Sequence, residues 1–152
     1  MRRFVPVFLL LVLVFGCGKG SRKPVVVEES TPIVGAGQTT TEALGIQTLR
    51  GVFTPLIPAG SKVPCSYSEI FSLNRDGQTQ IKVLPFRGTN AAAASNYALG
   101  EFQVVGIPPG PRGRPQVEVT FTITERQILM SASDPMHKVD FEIQRIGNAN
   151  QR

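Results

Sequence analysis

A period of two runs through the second half of the chain. Val117, Val119, Phe121 and Ile123 alternate with Glu118, Thr120, Thr122 and Thr124, the pattern of a strand with one face buried and one wet. Val139, Phe141 and Ile143 alternate in the same way with Lys138, Asp140, Glu142 and Gln144. Ile81 and Val83 alternate with Gln80, Lys82 and Leu84, and Phe102 and Val104 with Glu101 and Gln103. Turn signals separate these runs: Arg75-Asp76-Gly77, Gly106-Ile107-Pro108-Pro109-Gly110-Pro111, Arg112-Gly113-Arg114-Pro115 and Ser133-Asp134-Pro135. Short strands at such spacing predict an all-β domain, a sandwich or a barrel. The only helical hint is Asn90 to Ser95, whose four alanines allow a single turn.

The first residues have a different texture. Arg2 and Arg3 precede an apolar run from Phe4 to Phe15, too short to span a bilayer and flanked by charge as in a secretory signal. Leu13-Val14-Phe15-Gly16-Cys17 then fits a bacterial lipobox, with aliphatic Val14 three positions before the cysteine and small Gly16 just before it. In that chemistry the Cys17 thiol is alkylated by a diacylglyceride and cleavage frees its amine for a further acyl chain. Acyl chains worth about 0.8 kcal/mol per buried methylene make a durable anchor. The expected organisation is a lipoprotein signal peptide over 1–16, a lipid-anchored flexible tether over 17–41, a β-domain over 42–147 and a disordered tail over 148–152. The tether is rich in Gly, Ser, Thr, Pro and Lys without period. Its Val25-Val26-Val27 triplet is read as linker rather than as a short edge strand.

Charge and cysteines narrow the function classes. The net charge is +5, and without Arg2 and Arg3 it is +3, too small and too scattered for a nucleic-acid partner. With Cys17 committed to lipid, Cys65 has no partner for an internal disulfide. The chain has no Trp and two Tyr, so the core falls to Val, Ile, Leu and Phe.

The stretch from Leu99 to Phe121, running Leu-Gly-Glu-Phe-Gln-Val-Val-Gly-Ile-Pro-Pro-Gly-Pro-Arg-Gly-Arg-Pro-Gln-Val-Glu-Val-Thr-Phe, closely resembles the signature of the seventy-kilodalton heat-shock (DnaK-type) chaperones. Leu44-Gly45-Ile46-Gln47-Thr48, Gly51-Val52-Phe53-Thr54-Pro55-Leu56-Ile57-Pro58, Ser68-Glu69-Ile70-Phe71-Ser72 and Ile128-Leu129-Met130-Ser131-Ala132 match in order around it. The likeness covers about Thr40 to Ile146 and lies in the family's substrate-binding β-subdomain. It implies a two-layer antiparallel β-sandwich whose upper loops form a channel for one extended peptide. The channel positions it implies are Ile46, Thr48, Leu49, Phe71, Asn74, Gln78, Ile81, Val83 and Val117. Ile46, Phe71, Ile81, Val83 and Val117 would line a central pocket for a Leu or Ile side chain. On periodicity alone Ile81 and Val83 read as core; the resemblance moves Ile81 to the channel.

The departures from the family pattern carry as much information. Leu49 and Asn74 correspond to the two residues that arch over a bound backbone, and Asn74 is less apolar than the usual occupant. Arg50 replaces a glycine beside the arch, where it crowds the channel mouth or offers a charge to acidic peptides. Thr124-Glu125-Arg126-Gln127 lacks the acidic turn with which the family docks its nucleotide-binding domain. Val34-Gly35-Ala36-Gly37-Gln38-Thr39 stands where a Leu-rich, Asp-containing coupling linker belongs. A stand-alone module with neither nucleotide-binding domain nor helical lid is expected, since no Gly-rich phosphate loop precedes a helix.

No catalytic constellation is found, so no enzyme, cofactor, metal or nucleotide is expected. His137 reads as a turn residue without Cys or carboxylate at ligand spacing. Ser131 and Ser133 lack a nucleophile context; Arg112 and Arg114 offer charge to an anion, although the resemblance makes Arg112 the former partner of a lid acid, now solvated. The expected partners are extended or unfolded polypeptide segments, together with a membrane reached through the Cys17 lipid. Location in the cell envelope follows, with the outer membrane favoured because Gly18 follows the cysteine where Asp would retain the protein in the inner one. Two functions fit: an ATP-independent holdase or peptide receptor, and a surface scaffold whose channel is vestigial.

Overall fold

The structure, a computed structural model, describes residues 23–28 and 33–149. The expected signal peptide, the lipobox with Cys17, and residues 150–152 of the expected tail lie outside the described residues. The chain forms β1 (Val25–Glu28), β2 (Ala43–Gln47), β3 (Phe53–Ile57), β4 (Cys65–Ser72), β5 (Gln80–Val83), β6 (Pro85–Gly88), β7 (Tyr97–Ala98), β8 (Glu101–Val105), β9 (Gln116–Ile123), β10 (Ile128–Ser133) and β11 (Glu142–Gly147). The fold is all-β, with only two 3-10 turns, Leu49–Gly51 and Ala93–Ser95, among the described residues. Every pairing is antiparallel.

One layer is the sheet β1-β10-β9-β4. Its inner face carries Val117, Val119, Phe121 and Ile123 of β9 and Ile128, Met130 and Ala132 of β10, all buried. Opposite lie two short sheets, β11-β8-β5 and β3-β2-β6-β7. They are joined by strands that pass from one to the other, β5 into β6 across Leu84 and β7 into β8 across Leu99-Gly100. Leu44, Ile46, Val83, Phe102 and Val104 from this side complete the main core cluster, beside a smaller one of Ala43, Phe53, Phe86 and Ala93, each large buried side chain contributing about 1.5–3 kcal/mol. The outer face of β9 is wet, and its threonines pair across to β4: Ser66 with Thr122 at 2.8 Å and Ser68 with Thr120 at 2.7 Å.

Two sequence expectations need correction. The stretch assigned to a flexible tether is largely part of the domain. β1 pairs with β10, Val25 opposite Met130, with a bulge before Glu28. Val27 is 3% exposed, and Ile33 is fully buried. Arg145 of β11 clamps the strand by donating from Nη2 to the carbonyls of Val27 (2.6 Å) and Val26 (3.1 Å). A four-residue strand is too brief to show a period, and a valine triplet amid Pro, Ser and Gly carries the composition of a spacer. Residues 33–41 are likewise packed into a tight hairpin. Gly35 N–H donates to Thr39 O at 2.9 Å, Thr41 N–H donates to Ile33 O at 2.6 Å, and Thr40 is 3% exposed.

The last strand is also displaced from its periodic pattern. Val139 does not open it; the residue is half exposed and closes a turn in which Asp134 N–H donates to Val139 O at 2.8 Å. The Asp134 carboxylate accepts from the amides of Met136 and His137, and Lys138 takes a left-handed φ of 52°. Phe141 still donates its N–H to Ala132 in β10, whereas Glu142 onward pairs with β8. The alternation read as one strand spans a crossing between layers.

Candidate functional site

A cleft of about 680 Å³ opens at one end of the sandwich, between the turn after β2, the end of β4, the β4–β5 loop and β5. The first wall is the segment Gln47–Val52. Its hairpin is closed by Thr48 N–H donating to Val52 O at 2.8 Å, and the Thr48 and Thr54 hydroxyls meet at 3.0 Å. Arg50 (φ 64°) and Gly51 (φ 75°) turn the chain through the left-handed region. Glycine does so freely, while for Arg50 the conformation costs about 1–2 kcal/mol. From outside, Phe53 N–H donates to Ala91 O at 2.9 Å and Val52 bridges to Ala92. Asn96 holds that outer loop in shape, accepting from Asn90 N–H at 2.9 Å and donating to its carbonyl at 2.7 Å.

The second wall is the β4–β5 loop. Gln78 is its internal brace, accepting from Asn74 N–H at 3.3 Å and donating to Gln80 O at 2.7 Å. The Gly106–Pro115 segment supports it from behind. Gly77 N–H donates to Gly110 O at 2.8 Å, Gly113 N–H to Leu73 O at 2.8 Å, and Arg112 N–H to the Asp76 carboxylate at 2.7 Å. The Arg-Asp-Gly and Gly-Ile-Pro-Pro-Gly turns, far apart in sequence, thus fix one another.

Of the nine residues expected to form a channel, eight line this cleft: Ile46, Thr48, Leu49, Phe71, Asn74, Gln78, Ile81 and Val83. Val117 does not. It is fully buried in the core, directly opposite Phe71 in the β4–β9 pairing. Ile46 and Val83 are each 4% exposed and belong to both core and floor. Phe71 and Ile81 are half-buried against the core and offer the apolar surface that remains open. Leu49 stands 87% exposed on the rim.

Sequence reasoning missed Lys82. It occupies a polar position of β5, which reads as a solvated strand face, yet it lines the rim of the cleft. Among the described residues, Lys82 and Arg50 are the only charged ones in the lining, both cationic. Lys82 Nζ lies 3.3 Å from Glu101, an exposed pair of the kind worth no more than about 1 kcal/mol. Arg50 has no hydrogen bond or ion pair with any other described residue.

The remaining candidates lie elsewhere. His137 sits in the turn after β10 with Nδ1 2.7 Å from Asp134 Oδ2. Although partial burial works the other way, this contact and the amides of His137 and Met136 hold the Asp134 carboxyl below its usual range. Cys65 is a free, half-buried thiol at the start of β4, and burial pushes its pKa up. Among the described residues no three His, Cys, Asp or Glu side chains come together to hold a metal, and no helix is long and apolar enough to cross a membrane.

A family model described as Hsp70 protein matches residues 37–151. The heat shock protein hsp-6 of Caenorhabditis elegans is 50% identical over 93 residues, covering 60% of this chain and 14% of its own length. The chaperone protein DnaK of Thermosipho melanesiensis is 42% identical over 113 residues, covering 74% of this chain and 17% of its own length. The mitochondrial heat shock 70 kDa protein of Pisum sativum is 42% identical over 120 residues, covering 78% of this chain and 16% of its own length. The chain therefore spans about a sixth of the length of these relatives.

Proposed function

This chain belongs to the Hsp70 protein family, and on that premise we propose that its cleft binds extended apolar polypeptide segments without help from nucleotide, as a holdase or peptide receptor. The observation that carries the reading is the cleft itself, where Phe71 and Ile81 leave apolar surface open over a closed floor of Ile46 and Val83. Burying one Leu side chain there is worth about 1.5–3 kcal/mol, and backbone hydrogen bonds to an extended segment add affinity that does not depend on its sequence. Nucleotide independence is supported by the segment before β2. Where a coupling linker would run, Val34–Thr40 is folded into a hairpin, with Val63 N–H donating to Gln38 O at 2.8 Å.

Anisotropy with a short peptide centred on Leu tests the reading. The expected dissociation constant is about 1–100 μM, or roughly −8 to −5.5 kcal/mol, with no change on adding ATP. Ile81→Phe fills the cleft and should abolish binding while leaving the thermal transition in place. No binding up to millimolar peptide, or equal binding by Ile81→Phe, would leave the scaffold reading in possession of the site.

We further propose that the domain works at a membrane surface in the cell envelope, held by lipid on Cys17. The Val14-Phe15-Gly16-Cys17 sequence behind an apolar run supports this. Radiolabelled palmitate should label the wild type and not Cys17→Ser; a labelled Ser variant would exclude the anchor.

A further inference from the structure

The cleft's charge is one-sided. Its lining includes two cations, Arg50 and Lys82, and no acidic residue among the described residues. The two are not equivalent. Lys82 is already engaged with Glu101 at 3.3 Å, whereas Arg50 has no partner among the described residues. Arg50 is also placed at a cost, holding a left-handed φ of 64° that only a minority of non-glycine residues adopt. Its side chain is exposed and lines the cleft. The guanidinium is free to reach a ligand lying along the rim next to Leu49.

An extended segment in this cleft places its central side chain over Phe71 and Ile81. Its neighbouring residues then pass along the rim that carries Arg50. A carboxylate there gains a charge-assisted, planar, two-pronged partner, while a lysine or arginine meets an uncompensated like charge. We propose that the cleft selects apolar segments flanked by Asp or Glu, with Arg50 as the specificity-determining residue. This rests on the peptide-binding reading above and names the substrate class within it.

The test uses three labelled peptides that share a central Leu and differ only in flanking Glu, Gln or Lys. Affinities are measured at low salt and again at about 0.3 M salt, where the screening length shrinks to a few ångströms. A partly exposed ion pair at the upper end of the usual range, roughly 0.4–1 kcal/mol, makes the Glu peptide bind about 2- to 5-fold tighter than the Gln peptide at low salt. The Lys peptide should bind weaker than both, and salt should compress all three together. Arg50→Asn, which tolerates a left-handed φ, should bring the Glu-to-Gln ratio to about one; Arg50→Lys should keep most of it. Using ratios within each variant removes any general effect of the substitution on affinity. If all three peptides bind the wild type equally, or if Arg50→Asn keeps the ratio, the proposal falls and the peptide-binding reading stands. Should none of the three bind, both fall together.

Discussion

Replacing Val27 by alanine should destabilise the domain, and the same change one residue earlier should not. Val27 is 3% exposed and belongs to the central cluster, whereas Val26 is outside that cluster and faces the other way along β1. Val→Ala removes two carbons. At about 0.8 kcal/mol per buried methylene the transfer loss is about 1.6 kcal/mol. The cavity left beside Ile128 and Met130 raises this to roughly 2–2.5 kcal/mol if its walls do not close. For Val26→Ala the expected loss is below about 0.5 kcal/mol. A domain of this size loses about 4 °C of melting temperature per kcal/mol, so Val27→Ala should melt roughly 6–10 °C lower and Val26→Ala within about 2 °C of the wild type. Circular dichroism melts of the two variants beside the wild type measure the contrast. A flexible spacer at 25–28 would make both substitutions silent. Equal, small effects would refute the assignment of β1 to the fold and restore the tether.

Other consequences can be checked with the same protein. Gly45→Ala should cost about 1–3 kcal/mol, because a Cβ there would run into the Thr54 carbonyl and sit 2.8 Å from Pro55 Cα, prising β2 from β3 under the cleft floor; a melt unchanged from wild type would show that the strands give way freely. Glu28 supplies a pH dependence. Burial pushes its carboxyl above the ordinary 4.5, nearby Arg87 opposes this and Glu42 adds to it. A folded-state pKa above the unfolded one means a contribution fully present below the unfolded value and lost as pH rises through the folded one. The stability of the wild type relative to Glu28→Gln should therefore fall as pH is raised from about 4 to 7, and a flat difference across chemical denaturation curves at those pH values would refute it.

The strands that were legible from sequence are those buried on one face and wet on the other. β9 alternates over eight residues, and its burial follows the alternation without a break. β8 behaves in the same way. β2 is buried at four consecutive positions, so it has no period and was found through resemblance alone. The site was legible to the extent that its residues sit at marked turns or match a family motif. Val117 was counted with the channel because it stands directly opposite Phe71 in the β4–β9 pairing, yet its own side chain is wholly buried in the core. Lys82 was overlooked for the complementary reason, since a lysine between Ile81 and Val83 satisfies strand alternation by itself. β1 could not be read from local pattern because its partner β10 lies far along the chain, and the hairpin at 33–41 is too short, and too rich in Gly and Thr, to show a period.

That distance matters for the order in which the chain is made. Val25 pairs with Met130 and Val26 with Leu129, so the earliest strand in the described chain finds its place on one of the last. Closing so long a loop adds little entropy, about 0.6 kcal/mol per doubling of its length. The constraint is one of time. During synthesis β1 emerges with its valines bare and waits for nearly the whole domain before the β10 edge exists. Only when β10 and the Arg145 of β11 are in place can the carbonyls of Val26 and Val27 be held.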